Sequence, residues 1–568
     1  MSSRILVVGG VAGGASAAAR LRRLDAQAEI VIFERGDHVS FSNCCLPYHL
    51  SGTIADSSSL VLMTPEKFRA QYDIEVRVRS EVTSIDKEAK QVTVRDVPTG
   101  HTYVERYDKL VLSPGAAPVM PASIPGIDRP HVFSVRNVAD IKAVKEYMDL
   151  VQAKKAAVVG GGFIGVEVAE NLRMAGLEVD LVEGMDQVMA PFDSDMAQIL
   201  HKELLDHGVR LHLSSTLTEI GADSVQIKGA DGTRQIPADL VVMAIGVRPE
   251  TGLAVSAGLA IGETGGIRVN HNHQTSDPDI YAVGDAVESY NSLLRRPGRL
   301  ALAGPAQRQA RTAADHICGA SGQNRGFIGS SCVRIFQQNA ACTGLNERTA
   351  RAAGIPCDFA YTLSADKVSL MPDCHYVNFK LLFEAPTGRI LGAQAVGRGE
   401  VTRRIDVIAA MISMGGTLED LKELELCYSP VFSTARDVVN LAALVGLNLL
   451  HGRFRQTPVS QARELVESGA YIVDVREEGE FQAGHLLNAH NIPLSQLRQR
   501  MDEIPKDIPV YLHCRTGQRS YNAICCLQGH GWTNLWNISG SFLGICQYEY
   551  FRDQSEDRAP IVTAYHFN

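Results

Sequence analysis

Ala156-Ala157-Val158-Val159-Gly160-Gly161-Gly162-Phe163-Ile164-Gly165-Val166-Glu167-Val168-Ala169-Glu170-Asn171-Leu172 is the stretch from which the fold is read. Four apolar residues read as a buried strand, a Gly-x-Gly-x-x-Gly turn follows, and the apolar residues beyond it recur at helical spacing. The next apolar run, Glu178 to Val182, ends in Glu183, 18 residues beyond Gly165. In such a unit the glycines let backbone approach a pyrophosphate, the helix N-terminus attracts its charge, and the acid holds ribose hydroxyls. Gly160, Gly162, Ile164, Gly165 and Glu183 are the candidate contacts. Gly184-Met185-Asp186-Gln187-Val188-Met189 carries no Arg or Lys, so a 2′-phosphate would meet a carboxylate and no cation. The segment favours NADH over NADPH.

The same unit occurs upstream. Ile5 to Val8 reads as a strand, Gly9-Gly10-Val11-Ala12-Gly13-Gly14 as its turn, Ala15 to Leu24 as an Ala-rich helix, and Glu29 to Phe33 as a strand ending in Glu34. Glu34 lies 20 residues past Gly14, and Val11 occupies the usual second glycine position. Gly9, Gly13, Gly14, Glu34 and the adjoining Arg35 are candidate contacts. The first glycines of the two units are 151 residues apart, a coarse internal repeat. Two such units in one chain suggest electron transfer between two dinucleotides. Tyr107 to Ala116, with Ser113-Pro114-Gly115, and Leu240 to Pro249, with Gly246, are strand-then-Gly segments able to carry the chain between two domains. Ile280 to Ala286 is a strand ending in Gly284-Asp285, whose carboxylate can accept a hydrogen bond from a ribitol hydroxyl.

Length and charge bound the rest. At 568 residues the chain makes several domains. Hydrophobic residues at 45% and charged residues at 21% are ordinary globular composition. A net charge of −9 argues against a general nucleic-acid binder. No membrane span is expected: Ser520 to Tyr548 is too polar, and Leu110 to Ile127 holds four prolines. The N-terminus lacks a signal-peptide layout, and twelve cysteines then suggest mostly free thiols in a reducing cytoplasm. Cys525-Cys526 reads as helix packing, and no metal site is expected.

Over about residues 4 to 445 the chain resembles the two-dinucleotide-binding-domain flavoprotein disulfide reductases. The resemblance implies FAD at the first site and NAD(P)H at the second. It implies Asp285 as an FAD ligand and the Gly115 and Gly246 segments as domain crossovers. Ala303-Gly304-Pro305-Ala306-Gln307-Arg308-Gln309 is similar to the family's helix start beside the flavin, through Ala303 and Ala306.

The Cys-x4-Cys pair and C-terminal His-Glu base of glutathione-reductase-like members are absent. Instead Ser40-Phe41-Ser42-Asn43-Cys44-Cys45-Leu46-Pro47-Tyr48 resembles the Ser-Phe-x-Asn-Cys-Gly-Leu-Pro-Tyr motif of CoA-disulfide reductases. The match implies Cys44 as a single redox nucleophile that takes its partner sulfur from outside, as a mixed disulfide with CoA. Cys45 replaces the motif's Gly and is expected to be a packed thiol. Ser16, Arg20, Arg23, Ser40 and Asn43 match positions that line CoA in similar enzymes.

Val333-Arg334-Ile335-Phe336, Ala341 to Leu345 and Phe379 to Phe383 read as an antiparallel sheet, and Arg404 to Ala410 and Asp437 to Leu449 as helices. This resembles the family's dimerisation domain and implies a homodimer. Tyr428-Ser429-Pro430-Val431-Phe432 is similar to its Tyr-x-Pro-Pro-Phe segment, in which Tyr428 would donate a proton to a departing CoA thiolate in the other subunit. Arg436 falls at a cation position for CoA. The second active-site Tyr of a Tyr-Tyr-Pro-Gly stretch is missing, because Leu370-Met371-Pro372-Asp373 stands there. That departure favours persulfides over CoA disulfide.

After a polar linker, Val473-Asp474-Val475-Arg476-Glu477 ends a strand, Gly484-His485 follows, and Pro509 to His513 runs into Cys514-Arg515-Thr516-Gly517-Gln518-Arg519-Ser520 and the helix Tyr521 to Gln528. The layout points backbone N–H groups and a helix N-terminus at the sulfur, which stabilises a thiolate or persulfide anion. It matches the rhodanese homology domain and implies Cys514 as sulfur acceptor, with Arg515 and Arg519 drawing in an anionic donor.

The expected architecture is α/β: two Rossmann-like dinucleotide-binding domains, an α+β dimerisation domain and a C-terminal α/β rhodanese domain. The expected extents are 1–118 with 250–326 for FAD, 119–249 for NAD, 327–450 for dimerisation and 458–568 for rhodanese. The resemblance implies an NADH-, FAD- and CoA-dependent reductase of small sulfur compounds coupled to a sulfur-handling domain. The alternatives are an NADH oxidase or peroxidase cycling through a Cys44 sulfenic acid, and a sulfur carrier or redox sensor.

Overall fold

The first glycine turn sits where a parallel sheet delivers it. In the computed structural model, which describes residues 3–567, the chain divides into two units, Met1–Gly184 with Ser214–Phe327, and Met185–Leu213 with Ile328–Asn568. In the first unit, β1 (Arg4–Val8), α1 (Ala12–Leu24), β2 (Glu29–Phe33), β3 (Glu75–Arg77) and β4 (Lys109–Leu112) lead to a second sheet. That sheet is built from β5 (Val132–Ser134), β6 (Lys155–Val159), β7 (Glu178–Val182) and β8 (Leu240–Met243), with α2 (Phe163–Met174) between β6 and β7. The chain then returns through β9 (Ile280–Ala282) to the first sheet. The first sheet runs β9-β4-β1-β2-β3, all parallel. The second runs β7-β6-β8-β5, also parallel. Strands buried on both faces need continuous apolar sequence, which Ile5 to Val8 and Ala156 to Val159 supply.

The two expected crossover segments pair with each other. Ala116–Pro118 and Val247–Pro249 form an antiparallel ribbon in which Arg248 faces Ala117. Gly115 (φ +77°) and Gly246 (φ +109°) turn the chain into it in conformations that favour glycine.

In the second unit, α3 (Ser194–Asp206) precedes an antiparallel sheet of β10 (Ser330–Ile335), β11 (Gln338–Gly344), β12 (Cys357–Ala365), β13 (Tyr376–Glu384) and β14 (Ile390–Gly397), in the order β10-β11-β14-β13-β12. Helices Thr402–Met414 and Val438–Leu450 lie in the expected places. Lys380 on β13 is buried, and its ammonium meets Asp195 at 2.7 Å and Glu347 at 2.5 Å. A charge so enclosed is tolerable only when paired in this way.

The C-terminal part of the unit holds β15 (Gln456–Thr457), β16 (Tyr471–Asp474), β17 (Ala489–Asn491), β18 (Val510–His513), α4 (Gln518–Gly529), β19 (Leu535–Ile538) and α5 (Ser541–Ser555). Its parallel sheet runs β15-β19-β18-β16-β17. Val473, Leu512, Ile524, Leu527 and Trp532 share its core. The expected packing of the vicinal pair is half right: Cys526 packs against this core, but Cys525 faces solvent, because adjacent helical residues lie about 100° apart.

Candidate active site

Both dinucleotide turns close on backbone contacts only glycine permits. Gly9 (φ +91°) and Gly160 (φ +113°) each donate N–H to the end of the next strand, at Phe33 O (2.8 Å) and Val182 O (2.7 Å). A Cβ on Gly14 would stand 1.8 Å from Gly9 O, and one on Gly165 1.8 Å from Gly160 O, so these glycines let each helix sit on its own turn. Gly162 has nothing within 4 Å of a Cβ position. It caps α2 with open space in front, the room a pyrophosphate needs.

The strand-end acids are already organised. Glu34 accepts N–H bonds from Gly10 and Gly36, both at 2.9 Å, and Glu183 accepts one from Gly161 at 2.6 Å. Arg35 pairs with Glu250 at 2.5 Å. Ser113 bonds Val8 O at 2.7 Å, bringing Pro114 and Gly115 beside the first turn. Gly284 (φ +82°) donates N–H to Gln309 Oε1 at 2.7 Å, from the helix Ala303–Ile317 that begins with Ala303 and includes Ala306. Burial raises the pKa of Asp285, opposed by Arg136.

Cys44 lies in a single 3-10 turn, Asn43–Cys45, and faces solvent. Neither it nor Cys45 is disulfide-bonded. Burial of the thiol raises its pKa, and the charges of Glu167, Cys45 and Asp285 raise it further. The next turn, Pro47–His49, is tied to α2: Ser51 Oγ donates to Asn171 Oδ1 at 2.7 Å, and the Tyr48 hydroxyl faces Glu167 Oε1 at 3.5 Å. Burial, with Glu170 adding to it, lifts Glu167 to about 7. Sequence reasoning quoted Glu167 only as part of a helix. Its spacing gave no sign that α2 would bring it to a cysteine 123 positions earlier in the chain.

Of the residues matched to CoA positions, Ser16, Arg20 and Arg23 lie on α1. Arg20 is engaged by Asp315 at 2.7 Å, while the Arg23 guanidinium lies 6.0 Å from the Tyr72 ring centre. Ser40 (φ +49°) donates N–H to Gly10 O at 2.8 Å, which joins the cysteine segment to the first glycine turn. In the other unit Tyr428 is 52% and Phe432 69% exposed, and Arg436 also faces solvent. Leu370, at the start of the Leu370-Met371-Pro372-Asp373 segment, is exposed on a turn.

Cys514 is built differently. It directly follows β18 and is enclosed, 1% exposed. Gly517 (φ +110°) donates N–H to its sulfur at 3.1 Å. The Ser520 hydroxyl lies 3.7 Å from the sulfur and donates to Asn537 Oδ1 at 2.6 Å. The start of α5 closes the other side: Ser541 Oγ accepts the Cys514 N–H at 3.3 Å, and Phe542 and Leu543 donate N–H to the carbonyls of Cys514 and Arg515, both at 3.1 Å. Beneath the loop, Arg476 binds Asp474 at 2.5 Å and Gly484 O at 2.7 Å and stacks on Phe542. His513 is fully buried, which lowers its pKa, with the nearby Asp474 carboxylate opposing the shift.

The two loop arginines part company. Arg519, expected to meet an anionic donor, has both terminal nitrogens on Glu480, at 2.6 and 2.8 Å. A fork-to-fork pair of this kind uses the geometry an anion would need. Arg515 lies over the Tyr376 ring, 5.6 Å from its centre. Sequence reasoning named neither Glu480 nor Tyr376. Glu480 is 39 residues from Arg519, and only its charge could have suggested the pairing.

Three family models match the chain. That of the pyridine nucleotide-disulphide oxidoreductases covers residues 3–310, that of their dimerisation domain 330–438, and that of the rhodanese-like domain 458–548. A coenzyme A disulfide reductase of Staphylococcus haemolyticus is 32% identical over 441 residues, 77% of this chain and 98% of the relative. The crystal structure of reduced Bacillus anthracis CoADR-RHD superposes with a TM-score of 0.93 at 41% identity, over 97% of this chain and 99% of that one. A NAD-dependent persulfide reductase from A. fulgidus superposes at 0.89 and 33% identity, over 95% and 99%. The glycine turns, the lone Cys44 and the enclosed Cys514 thus lie in a chain that belongs to the pyridine nucleotide-disulphide oxidoreductase family, carrying that family's dimerisation domain and a C-terminal rhodanese-like domain.

Proposed function

We propose that the chain uses NADH and FAD to reduce persulfides, polysulfides or CoA-linked disulfides at Cys44, while Cys514 takes up sulfane sulfur. The observation that carries this reading is the presence of two sulfur sites of opposite build: an open thiol with no cysteine bonded to it, and an enclosed one with N–H at the sulfur. An open lone thiol must draw its partner sulfur from a substrate. The similarity to a coenzyme A disulfide reductase and to a persulfide reductase supports the same substrates.

The first turn with Glu34, Arg35, Ser113 and Asp285 would hold FAD. The second, with Glu183 and no following cation, would hold NADH. FAD, when bound, relays two electrons from NADH to sulfur. The Cys44 thiolate attacks the substrate S–S bond and forms a mixed disulfide with CoA. The departing sulfide or thiolate leaves with the electron pair, and two-electron reduction of the mixed disulfide then frees CoA and Cys44. Ser16, Arg20, Arg23, Ser40 and Asn43 would line CoA. In a homodimer Tyr428 would protonate the departing thiolate and Arg436 would meet CoA phosphate. The solvent-facing Tyr428 and Phe432 support a second copy on that face. Domain extents follow as 1–118 with 250–326, 119–249, 327–450 and 458–568. Among the described residues no helix is long and apolar enough to cross a membrane, and twelve cysteines with no disulfide among the described residues fit a reducing, cytoplasmic location.

The test is anaerobic NADH turnover with polysulfide or CoA persulfide, with the Cys44→Ser variant beside it. Sulfide released in step with NADH, and lost in the variant, is the expected result. Rapid NADH loss with peroxide or air and little sulfide would instead identify an oxidase or peroxidase.

A further inference from the structure

From Ser289 to Phe327 the chain holds six arginines and a single acid, Asp315, in a protein whose net charge is −9. The fold gathers this run on one surface. Strands Val287–Asn291 and Arg296–Gly298 form a hairpin, with Asn291 opposite Arg296 and Ser289 opposite Gly298. The chain returns along it: Phe327 donates N–H to Tyr290 O at 2.9 Å, and a Cβ on Gly298 would come within 3.0 Å of the Phe327 ring. Arg308, on the helix Ala303–Ile317, borders the same small hollow as Leu300, Asn324 and Gly326.

Arg295, Arg296, Arg299, Arg308 and Arg325 are all exposed, and among the described residues none of them meets a carboxylate. Asp315 is taken by Arg20 at 2.7 Å and lies 3.8 Å from Arg311. Glu288, just before the run, is turned to Thr264, whose N–H it accepts at 2.8 Å. Other arginines of this unit are matched: Arg35 with Glu250, Arg79 with Asp37, Arg95 with Glu81. Matched pairs cancel at a distance, whereas neighbouring guanidinium groups without acids sum their fields.

One side chain joins the hairpin to the surroundings of Cys44. Gln309 donates from Nε2 to Ser289 Oγ at 3.1 Å and accepts the Gly284 N–H at 2.7 Å. Gly284 leads into Asp285, whose charge acts on the Cys44 sulfur together with that of Glu167. The charges nearest the sulfur therefore repel an arriving anion, and attraction has to come from further out. At an ionic strength of about 10 mM the Debye length is about 30 Å, long enough for the arginines to supply it.

We propose that this arginine surface is an electrostatic landing site for polyanionic, phosphate-bearing disulfides and persulfides, which it concentrates beside Cys44 before any specific contact forms. This inference rests on the reading of Cys44 as the nucleophile that attacks such substrates. The surface acts through its summed field, so it governs capture of the substrate and leaves the chemical step alone.

The experiment measures kcat/KM for CoA disulfide with the full-length holoenzyme at saturating NADH and varied salt. Arg296→Glu combined with Arg325→Glu reverses two exposed charges. At about 10 mM salt this variant is expected to lower kcat/KM about tenfold with kcat nearly unchanged, and at about 500 mM the difference should shrink to within about twofold. Arg296→Lys combined with Arg325→Lys, which keeps the charge, should match the parent. The uncharged disulfide 4,4′-dithiodipyridine should react equally with parent and reversed variant at every salt concentration. An unchanged kcat/KM in the reversed variant at low salt, a loss that salt does not diminish, or an equal loss with the uncharged disulfide overturns the landing site. CoA disulfide turnover that survives Cys44→Ser, or is absent from the parent chain, overturns instead the reading of Cys44.

Discussion

Cys44 occupies a one-turn helix that faces solvent and feels the charges of Glu167 and Asp285, whereas Cys514 is enclosed between a strand end and the starts of two helices, with an N–H of its own loop at the sulfur. The first environment resists a negative sulfur and leaves room for a large partner. The second solvates a negative sulfur with fixed dipoles and admits little. The difference suits two tasks. A thiol that must exchange with bulky disulfides needs access and draws its activation from what binds beside it. A thiol that must hold a terminal sulfur anion needs preorganised donors.

The most direct way to break this comparison is to remove each sulfur in turn. Cys44→Ser should lower NADH-linked sulfide release by about a thousandfold or more, while thiocyanate formation from thiosulfate and cyanide persists. Cys514→Ser should abolish thiocyanate formation and leave NADH turnover with CoA disulfide in place. If both activities fall together in either variant, the two sites do not divide the chemistry.

Acid–base behaviour gives the next effect. The Cys44 thiol titrates above an ordinary cysteine because burial and neighbouring negative charge disfavour its thiolate. Its alkylation by iodoacetamide should therefore rise with pH through a midpoint above that of a free thiol. Glu167→Gln removes a carboxylate and should move that midpoint down. The difference in alkylation rate between variant and parent should vanish well below pH 7, where Glu167, titrating at about 7, is already protonated in the parent. Peptide-level mass measurement of Cys44 labelling separates it from the other cysteines.

Smaller effects sharpen the Cys514 side. Glu480→Gln unpicks the fork held on Arg519, a pair about one-third exposed on each side. It should cost about 1 kcal/mol, visible as a few degrees in thermal unfolding, and lower thiocyanate formation about tenfold as the loop loosens. Ser520→Ala should cost least in rate, about threefold, since its hydroxyl lies 3.7 Å from the sulfur while the Gly517 N–H remains at 3.1 Å. A larger loss from Ser520→Ala than from Glu480→Gln would reverse this ranking of supports.

Legibility followed distance along the chain. The glycine turns, their strands and the Cys514 loop were readable because each is a contiguous strand, turn and helix whose chemistry is written in a few adjacent residues. The antiparallel sheet was readable in outline, with strands such as β11 beginning earlier than the apolar run because polar Gln338 and Asn339 also pair. The supports were not readable. Glu167 reaches Cys44 through a helix of the other dinucleotide sheet, Lys380 meets Asp195 across 185 residues, and Tyr376 reaches Arg515 from a different domain. No periodicity records such meetings, because they depend on how finished layers pack. The same holds for Arg519: its charge was visible in the sequence, and its pairing with Glu480 was not.

The residues that close over Cys514 from α5 follow it by 27 positions in the chain. On the ribosome the cysteine therefore emerges before Ser541 and Phe542 can cap it. During that interval the thiol is an uncovered nucleophile on a half-finished domain, and its enclosure is an event in time as well as in space. A cell rich in reactive sulfur would meet this protein first as an unprotected cysteine, and only afterwards as an ordered loop.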